Sequence, residues 1–294
     1  TRSAEKAQEI QRKRENEAYL PGLKLPDGVV VKKASDIELA ACDLVCLAVP
    51  SKAMPQAVGT YADRISSRAA VLLLTKGLIQ PMGLLPTEYV TERVRARAIA
   101  CLGGPAHARE AAAGMAALVL GSADLDFRVQ MGEVFDRAGL VCERTDDVLG
   151  VEMAGVTKNA AALAAAAAEP HGMNAAGIAA AGIWDECIDY ALTKGARLET
   201  FAGLAGVGDL TATILAPGSR NRRAGELLGK GVPADQIPRR IGQASEGLDS
   251  LPLIAETVVR AGVDAERLEG LAALIAGEIE ATEWVSGLRR AERA

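Results

Sequence analysis

Aromatic side chains make up only 3% of this 294-residue chain, which excludes the stacking surface that holds single-stranded nucleic acid. Basic excess is missing too: the formal net charge is −5, the wrong sign for a face that neutralises a phosphate backbone, local basic clusters aside. There are two histidines and five cysteines, and Cys42, Cys46, Cys101, Cys142 and Cys187 form no CxxC pair, so no zinc-ligand spacing is present. An odd number of scattered thiols does not suggest a disulfide framework and fits a reduced cytoplasm. No apolar run free of charges and glycines reaches the ~18 residues of a membrane span, so no stable membrane insertion is expected. The Arg-containing start runs into Glu and Lys, not an apolar h-region, and is no signal peptide. A Gly-x-Gly-x-x-Gly turn after a first strand is also absent.

What is present is 49% hydrophobic, with 30 glycines and alanine leading the apolar set, long enough for two domains with separate cores. Ser3 is placed as N-cap of a polar helix over residues 4–17. Residues 29–31, three valines, read as a strand, and Ser35 caps a short helix ending at Ala41. Apolar runs at 43–49, 70–74, 98–102, 116–120 and 140–143 read as strands covered on both faces, alternating with helical patterns. This is the grammar of a doubly wound, Rossmann-like α/β sheet. The glycine turn of such a fold follows its first strand, and the ribose-reading residue lies ~20 residues later. The chain therefore reads as starting just after a second strand, with ~30 residues carrying the first strand and phosphate turn expected upstream. After Asp146-Asp147 only helical patterns follow, broken at Pro170, Gly195, Pro217, Pro233 and Pro252. The division predicted is a dinucleotide-binding domain over 1–145, incomplete at its N-terminus, and an all-helical substrate domain over 146–294.

Several elements have the right residue types for chemistry, and each has a plainer reading. Thr75-Lys76-Gly77 ends the strand 71–74, and ligands gather at such carboxyl ends in open α/β sheets; a lysine merely ending a strand in solvent is the alternative. Gly103-Gly104-Pro105-Ala106 leads from a strand into a helix and offers backbone amides to an anion, or is an ordinary turn. His107 beside it reads as a packing or surface residue. Lys158 sits in an otherwise apolar helix, where burial and cationic neighbours lower a lysine pKa toward that of a general base; a snorkelling lysine fits equally. Gly206-Val207-Gly208-Asp209 lacks the third glycine of a dinucleotide turn, and its Asp209 is placed to orient a substrate hydroxyl or Lys158. Ser219-Arg220-Asn221-Arg222-Arg223 is either a phosphate clamp or a solvated basic turn.

No single element is decisive; their order is. Arg14-Glu15-Asn16 with Tyr19-Leu20-Pro21-Gly22, Leu47 to Ser51, Thr75-Lys76-Gly77, Gly104-Pro105, Gly155 to Asn159, Gly206 to Leu210, Ser219 to Arg223 and Glu246-Gly247 resemble, in order and spacing, the bacterial-type NAD(P)-dependent glycerol-3-phosphate dehydrogenases. The resemblance covers Arg2 to about Ala261. It implies interconversion of sn-glycerol 3-phosphate and dihydroxyacetone phosphate with NAD or NADP, feeding glycerophospholipid synthesis. It further implies catalytic roles for Lys158 (proton acceptor or donor), Lys76 and Asp209. Substrate contacts would come from Lys76, Gly104, Ala106, Lys158, Asp209, Ser219, Arg220 and Asn221, and cofactor contacts from Arg2, Tyr19, Lys76, Ala108, Arg220 and Glu246. A homodimer through the helical half is a further family-level expectation, and no metal is implied.

Departures from the family pattern leave room for other readings. Ala106 and His107 stand where the family usually has Ser and Phe, residues 171–184 lack the arginines expected after Asn174, and Gly-Val-Thr-Lys-Asn replaces Gly-Ala-Leu-Lys-Asn. A related dehydrogenase of another hydroxy acid or phosphate, or a non-catalytic binding or scaffold protein, are the alternatives. Against the last, a scaffold has no physical need for buried cations.

Overall fold

The computed structural model describes residues 1–243 and 245–288. The first half is built on one five-stranded sheet, β1 Leu44–Leu47, β2 Ala70–Leu73, β3 Ala98–Gly103, β4 Ala117–Ser122 and β5 Val141–Thr145, which lie side by side in that order. β1, β2 and β3 run parallel. β4 is antiparallel to β3, and β5 is parallel to β4. The reversal has a local cause. Between β3 and β4 the chain carries only α4, Ala108–Ala112, too little helix to recross the sheet and return in parallel.

Alternation of facing explains β2, an interior strand. Val71 and Leu73 face a core with Val45, Met54, Val58 and Val90, while Ala70 and Leu72 face another with Ala98, Ala100, Leu120 and Phe127. α2 (Met54–Tyr61) and α3 (Pro86–Thr91) supply the first of these covers, and α5 (Leu125–Arg137) supplies Phe127 to the second. β5 departs from the expectation of cover on both faces, since Val141 is largely exposed at the sheet edge.

The segment before β1 differs from its sequence reading. Residues 29–31 form no strand: Val30 is 68% exposed, and the Val31 N–H donates to Gln11 Oε1, so the valines are a loop strapped to α1. That helix, Ala4–Lys13, starts as expected, with Ser3 Oγ accepting from Lys6 N–H. It ends four residues short of 17 because Arg14 turns left-handed, φ 54°, and sends its guanidinium to the carbonyls of Val29, Leu25 and Pro26. Residues 35–41 hold two separate 3-10 turns, Ala34–Asp36 and Leu39–Ala41.

From α6 (Val148–Ala168) onward the described residues are helical: α7 Met173–Thr193, α8 Leu198–Ala202, α9 Asp209–Leu215, α10 Arg220–Leu228, α11 Ile237–Ile241, α12 Glu246–Arg260, α13 Glu266–Ala276 and α14 Ala281–Leu288. Every α6 residue from Gly150 to Ala168 is buried, as an all-round apolar helix requires. Its alanines permit very close neighbours. A Cβ at Gly225 of α10, or at Gly229 just past its end, would overlap the α6 carbonyls of Leu163 and Ala167. The stretch 171–184 carries no arginine, yet a guanidinium lies there all the same: Arg267 of α13 packs over Gly182 and reaches Glu186. The Glu186 carboxylate also accepts the N–H groups of Arg267 and Leu268, capping α13.

Side-chain contacts tie the sheet half to the helices at several points. Lys52 pairs with Asp249 of α12 at 3.0 Å, Gln80 Nε2 donates to the Asp249 carbonyl, and the Glu152 carboxyl of α6 accepts from both N–H and Oγ1–H of Thr87 in α3. Burial pushes the Glu152 pKa up to about 8, against the Thr87 hydrogen bonds that pull it down.

Candidate active site

The ladder between β1 and β2 continues past the strands, with Leu74 N–H donating to Leu47 O at 3.0 Å, and Thr75 Oγ1 donates to Val49 O at 2.6 Å. These bonds hold the carboxyl end of β2 and deliver Lys76 to the helical side. Its Nζ meets Asp209 Oδ2 at 2.7 Å and approaches Gly104 O at 3.5 Å. Gly104 itself leads out of β3 at φ 92°, where a Cβ would lie 2.5 Å from Ala117 O, so only glycine suits the turn.

Asp209 opens α9 after a single π-helical turn, Leu204–Gly208, closed by Gly208 N–H to Gly203 O at 3.1 Å. A Cβ at Gly206 would overlap the Phe201 carbonyl, so Gly206 serves this widened turn. Asp209 is 1% exposed. Its other oxygen, Oδ1, takes Lys158 Nζ at 3.0 Å. One carboxylate therefore bridges two ammonium groups.

Lys158 is 7% exposed, and its second partner is Thr213 Oγ1 at 2.9 Å. Thr213 donates its own hydroxyl hydrogen to Asp209 O, which leaves an oxygen lone pair for Lys158. Burial first, and then the Lys76 charge, bring the Lys158 pKa down to about 8, against Asp209 and Glu246, which act to raise it. A lysine poised there can take or give a proton near neutral pH.

Around this centre lie the other predicted residues. Asn221 is joined through Asn159 to the Lys76 carbonyl. Glu246, at the start of α12, faces Arg220, Lys76 and Lys158 electrostatically, and burial raises its pKa. Ser219 caps α10, its Oγ accepting from Arg222 N–H. Arg222 turns away, pinned by Glu169 and Glu226, whereas Arg220 acts electrostatically on Glu246. Ala106 and His107 precede α4, with His107 at its N-cap and Ala108 its first residue. Arg109 donates to Pro21 O at 2.8 Å, bringing the Tyr19–Gly22 loop beside Ala108. Tyr19 is 70% exposed and Arg2 is exposed ahead of α1; no contact joins either of them to the lysine pair among the described residues. Thr213 was missed by the sequence reading, although its i+4 spacing from Asp209 on a helix was a usable signal.

The described residues fit the reactive end of a nicotinamide cofactor. Beyond β3 the chain carries small side chains, a partly buried Ala106 and an exposed Ala108, and Glu246 lies within electrostatic range of Lys76 and Arg220. A cavity of about 380 Å³ lined by Arg144, Thr145, Arg197 and Thr200 lies elsewhere, at the β5 edge.

Family models for the N-terminus and the C-terminus of NAD-dependent glycerol-3-phosphate dehydrogenase match residues 1–127 and 147–286 respectively. A glycerol-3-phosphate dehydrogenase [NAD(P)+] 2 of Sphingopyxis alaskensis is 36% identical, over 89% of this chain and 80% of its own length. A glycerol-3-phosphate dehydrogenase [NAD(P)+] of Acidovorax ebreus is 34% identical, with 99% and 88% covered. The crystal structure of glycerol-3-phosphate dehydrogenase from Coxiella burnetii superimposes with a TM-score of 0.90 at 26% identity, covering 99% of this chain and 90% of that one.

Proposed function

The chain belongs to the NAD-dependent glycerol-3-phosphate dehydrogenase family, and from that premise we propose that Lys158, Lys76 and Asp209 carry its reaction. It is an oxidoreductase interconverting sn-glycerol 3-phosphate and dihydroxyacetone phosphate with NAD or NADP. The cofactor, when bound, accepts or supplies the hydride at the substrate's central carbon. Neutral Lys158 takes the proton of the C2 hydroxyl as the carbonyl forms; protonated Lys158 returns it to the carbonyl oxygen in reduction. Asp209 holds Lys158 in place at 3.0 Å while Lys76, a fixed cation 2.7 Å from the same carboxylate, stabilises negative charge developing on the substrate oxygen. Arg220 and Ser219 at the start of α10, with Asn221, Gly104 and Ala106, form the substrate end; Arg2, Tyr19, Ala108, Arg220 and Glu246 form the cofactor side.

The observation that carries this reading is the buried carboxylate shared by two lysines at the carboxyl ends of the strands. We divide the chain at 145/146, where β5 has ended and α6 has not begun; residues 289–294 of the second part lie outside the described residues. Five free thiols support a reducing, cytoplasmic setting. Exposed Ile178 and Leu192 on α7 are the surface we assign to a homodimer. The test is Lys158→Ala. Dihydroxyacetone-phosphate-dependent oxidation of NADH and NADPH should fall by about 10²–10⁴-fold, with NAD(P)H binding, followed by fluorescence titration, retained. Activity surviving the change would remove Lys158 from the role.

A further inference from the structure

Four elements converge on this site from distant parts of the chain, and a chain of buried amides links them. Asn159 Nδ2 donates to Lys76 O at 3.4 Å. Asn159 Oδ1 accepts from Asn221 Nδ2 at 2.7 Å. Asn221 Oδ1 in turn accepts from Ser245 Oγ at 2.8 Å and from Gly247 N–H at 3.0 Å. Asn159, Asn221 and Ser245 are 5%, 8% and 1% exposed. A Cβ at Gly247 would lie 2.9 Å from Asn221 Oδ1 and 3.0 Å from Asn159 O, so the approach of α12 depends on a glycine there.

Both ends of the relay are backbone groups of fixed character, which sets its direction. The Gly247 N–H can only donate, so Asn221 must present oxygen to it and nitrogen to Asn159. Asn159 then presents oxygen back and is left with nitrogen for the Lys76 carbonyl, which can only accept. Both acceptor sites of Asn221 Oδ1 are thereby filled, and that oxygen has none left for a substrate hydroxyl. Four of the residues assigned to the reaction, meanwhile, are members of the relay or immediate chain neighbours of it: Lys76 by its carbonyl, Lys158 beside Asn159, Arg220 beside Asn221, and Glu246 between Ser245 and Gly247.

We propose that Asn159 and Asn221 are positioning residues, a directional amide relay that fixes the spacing of Lys76, Lys158, Arg220 and Glu246. The inference rests on the assignment of those four side chains to the reaction. Their separation is worth fixing, because the charged groups facing Lys158 (Lys76, Asp209 and Glu246) act on it in opposite senses. Asn159→Ala releases the Lys76 carbonyl and lets that ammonium drift from Lys158, and the drift raises the Lys158 pKa toward that of an ordinary lysine. A merely structural asparagine pair would not move it.

The experiment is a double-mutant cycle, Asn159→Ala, Asn221→Ala and both together, with kcat and KM measured against pH in the reductive direction. The relay predicts a kcat loss of about tenfold to a hundredfold in each single variant, the scale of an ångström misplacement. It also predicts a double variant no worse than the poorer single, and for Asn159→Ala a kcat/KM midpoint displaced to higher pH. Additive losses with an unmoved midpoint, or a loss confined to the KM for dihydroxyacetone phosphate, would overturn it. If either alanine variant does not fold, Ser245→Ala and Asn221→Ser weaken the same relay and are read the same way. Lys158→Ala run alongside separates the two levels. If it remains active, the underlying assignment fails; if it is inactive while the cycle is additive, only the relay fails.

Discussion

Replacing Asp209 by Asn strips the two lysines of their common counter-charge without changing the shape of the site. At an effective dielectric of about 20, a unit-charge pair at the Lys158–Asp209 separation of 3.0 Å is worth about 5 kcal/mol before desolvation. Removing one member of a buried pair ordinarily costs about 3–5 kcal/mol. Here the loss should be smaller, about 1–3 kcal/mol at pH 7. Lys158 can escape by releasing its proton, which from a pKa of about 8 costs about 1.4 kcal/mol at that pH. Lys76, whose side chain is a quarter exposed, can turn to water. The kinetic consequence has a definite sign. In the parent, kcat/KM for reduction should fall as pH rises through about 8, where the proton donor is lost, and kcat/KM for oxidation should rise there. Asp209 acts to raise the Lys158 pKa, so its removal should shift both midpoints down by about one pH unit or more. Initial rates in the two directions across a buffered pH series measure it. A midpoint that stays put or moves up in Asp209→Asn would refute Lys158 as the titrating group.

Two further substitutions test the supports of the site. Gly206→Ala forces a methyl into the Phe201 carbonyl and should collapse the π-helical turn that sets Asp209, costing about 2–3 kcal/mol of stability on the scale of an overpacking substitution, with activity lost along with Tm in thermal melts. Glu152→Gln should flatten the dependence of Tm on pH. With its folded pKa raised from 4.5 to about 8, Glu152 stabilises the fold fully at low pH and progressively less as pH rises through that window; parallel Tm curves for variant and parent would mean that the native carboxyl is ionised throughout.

How much of this was legible in the sequence depended on the range of the interactions. The strands at 70–73 and 98–103 declare themselves by apolar runs bounded by turn residues, because parallel strands covered on both faces need little else. The three valines at 29–31 carry the same local signal and form no strand, since the signal says nothing of whether a partner edge is present. The reversal at β4 was invisible for a similar reason: it follows from the shortness of α4, and helix length is the least certain part of a sequence reading. Within the site, Lys158 could be expected to be buried from the small residues around it, and its i+4-related helper Thr213 was within reach of the same periodic argument. Ser245 was not. Its value lies in meeting Asn221 from another helix, and a serine ahead of a helix predicts a cap instead, a role for which Ser245 shows no side-chain hydrogen bond.

The charges gathered here also explain why the centre needs one acid and not two. Lys76, Lys158 and Arg220 bring three positive charges, and Asp209 brings one negative charge. Burial raises the Glu246 pKa, and whether or not Glu246 is ionised the three cations outnumber the carboxylates, so the free site keeps an excess of positive charge. A phosphate ester dianion is the complement of that excess. A second fully ionised carboxylate would halve it, weakening the attraction for phosphate and holding Lys158 more firmly protonated. Sharing one aspartate between two lysines secures both side chains and leaves the positive field in place for an anionic substrate.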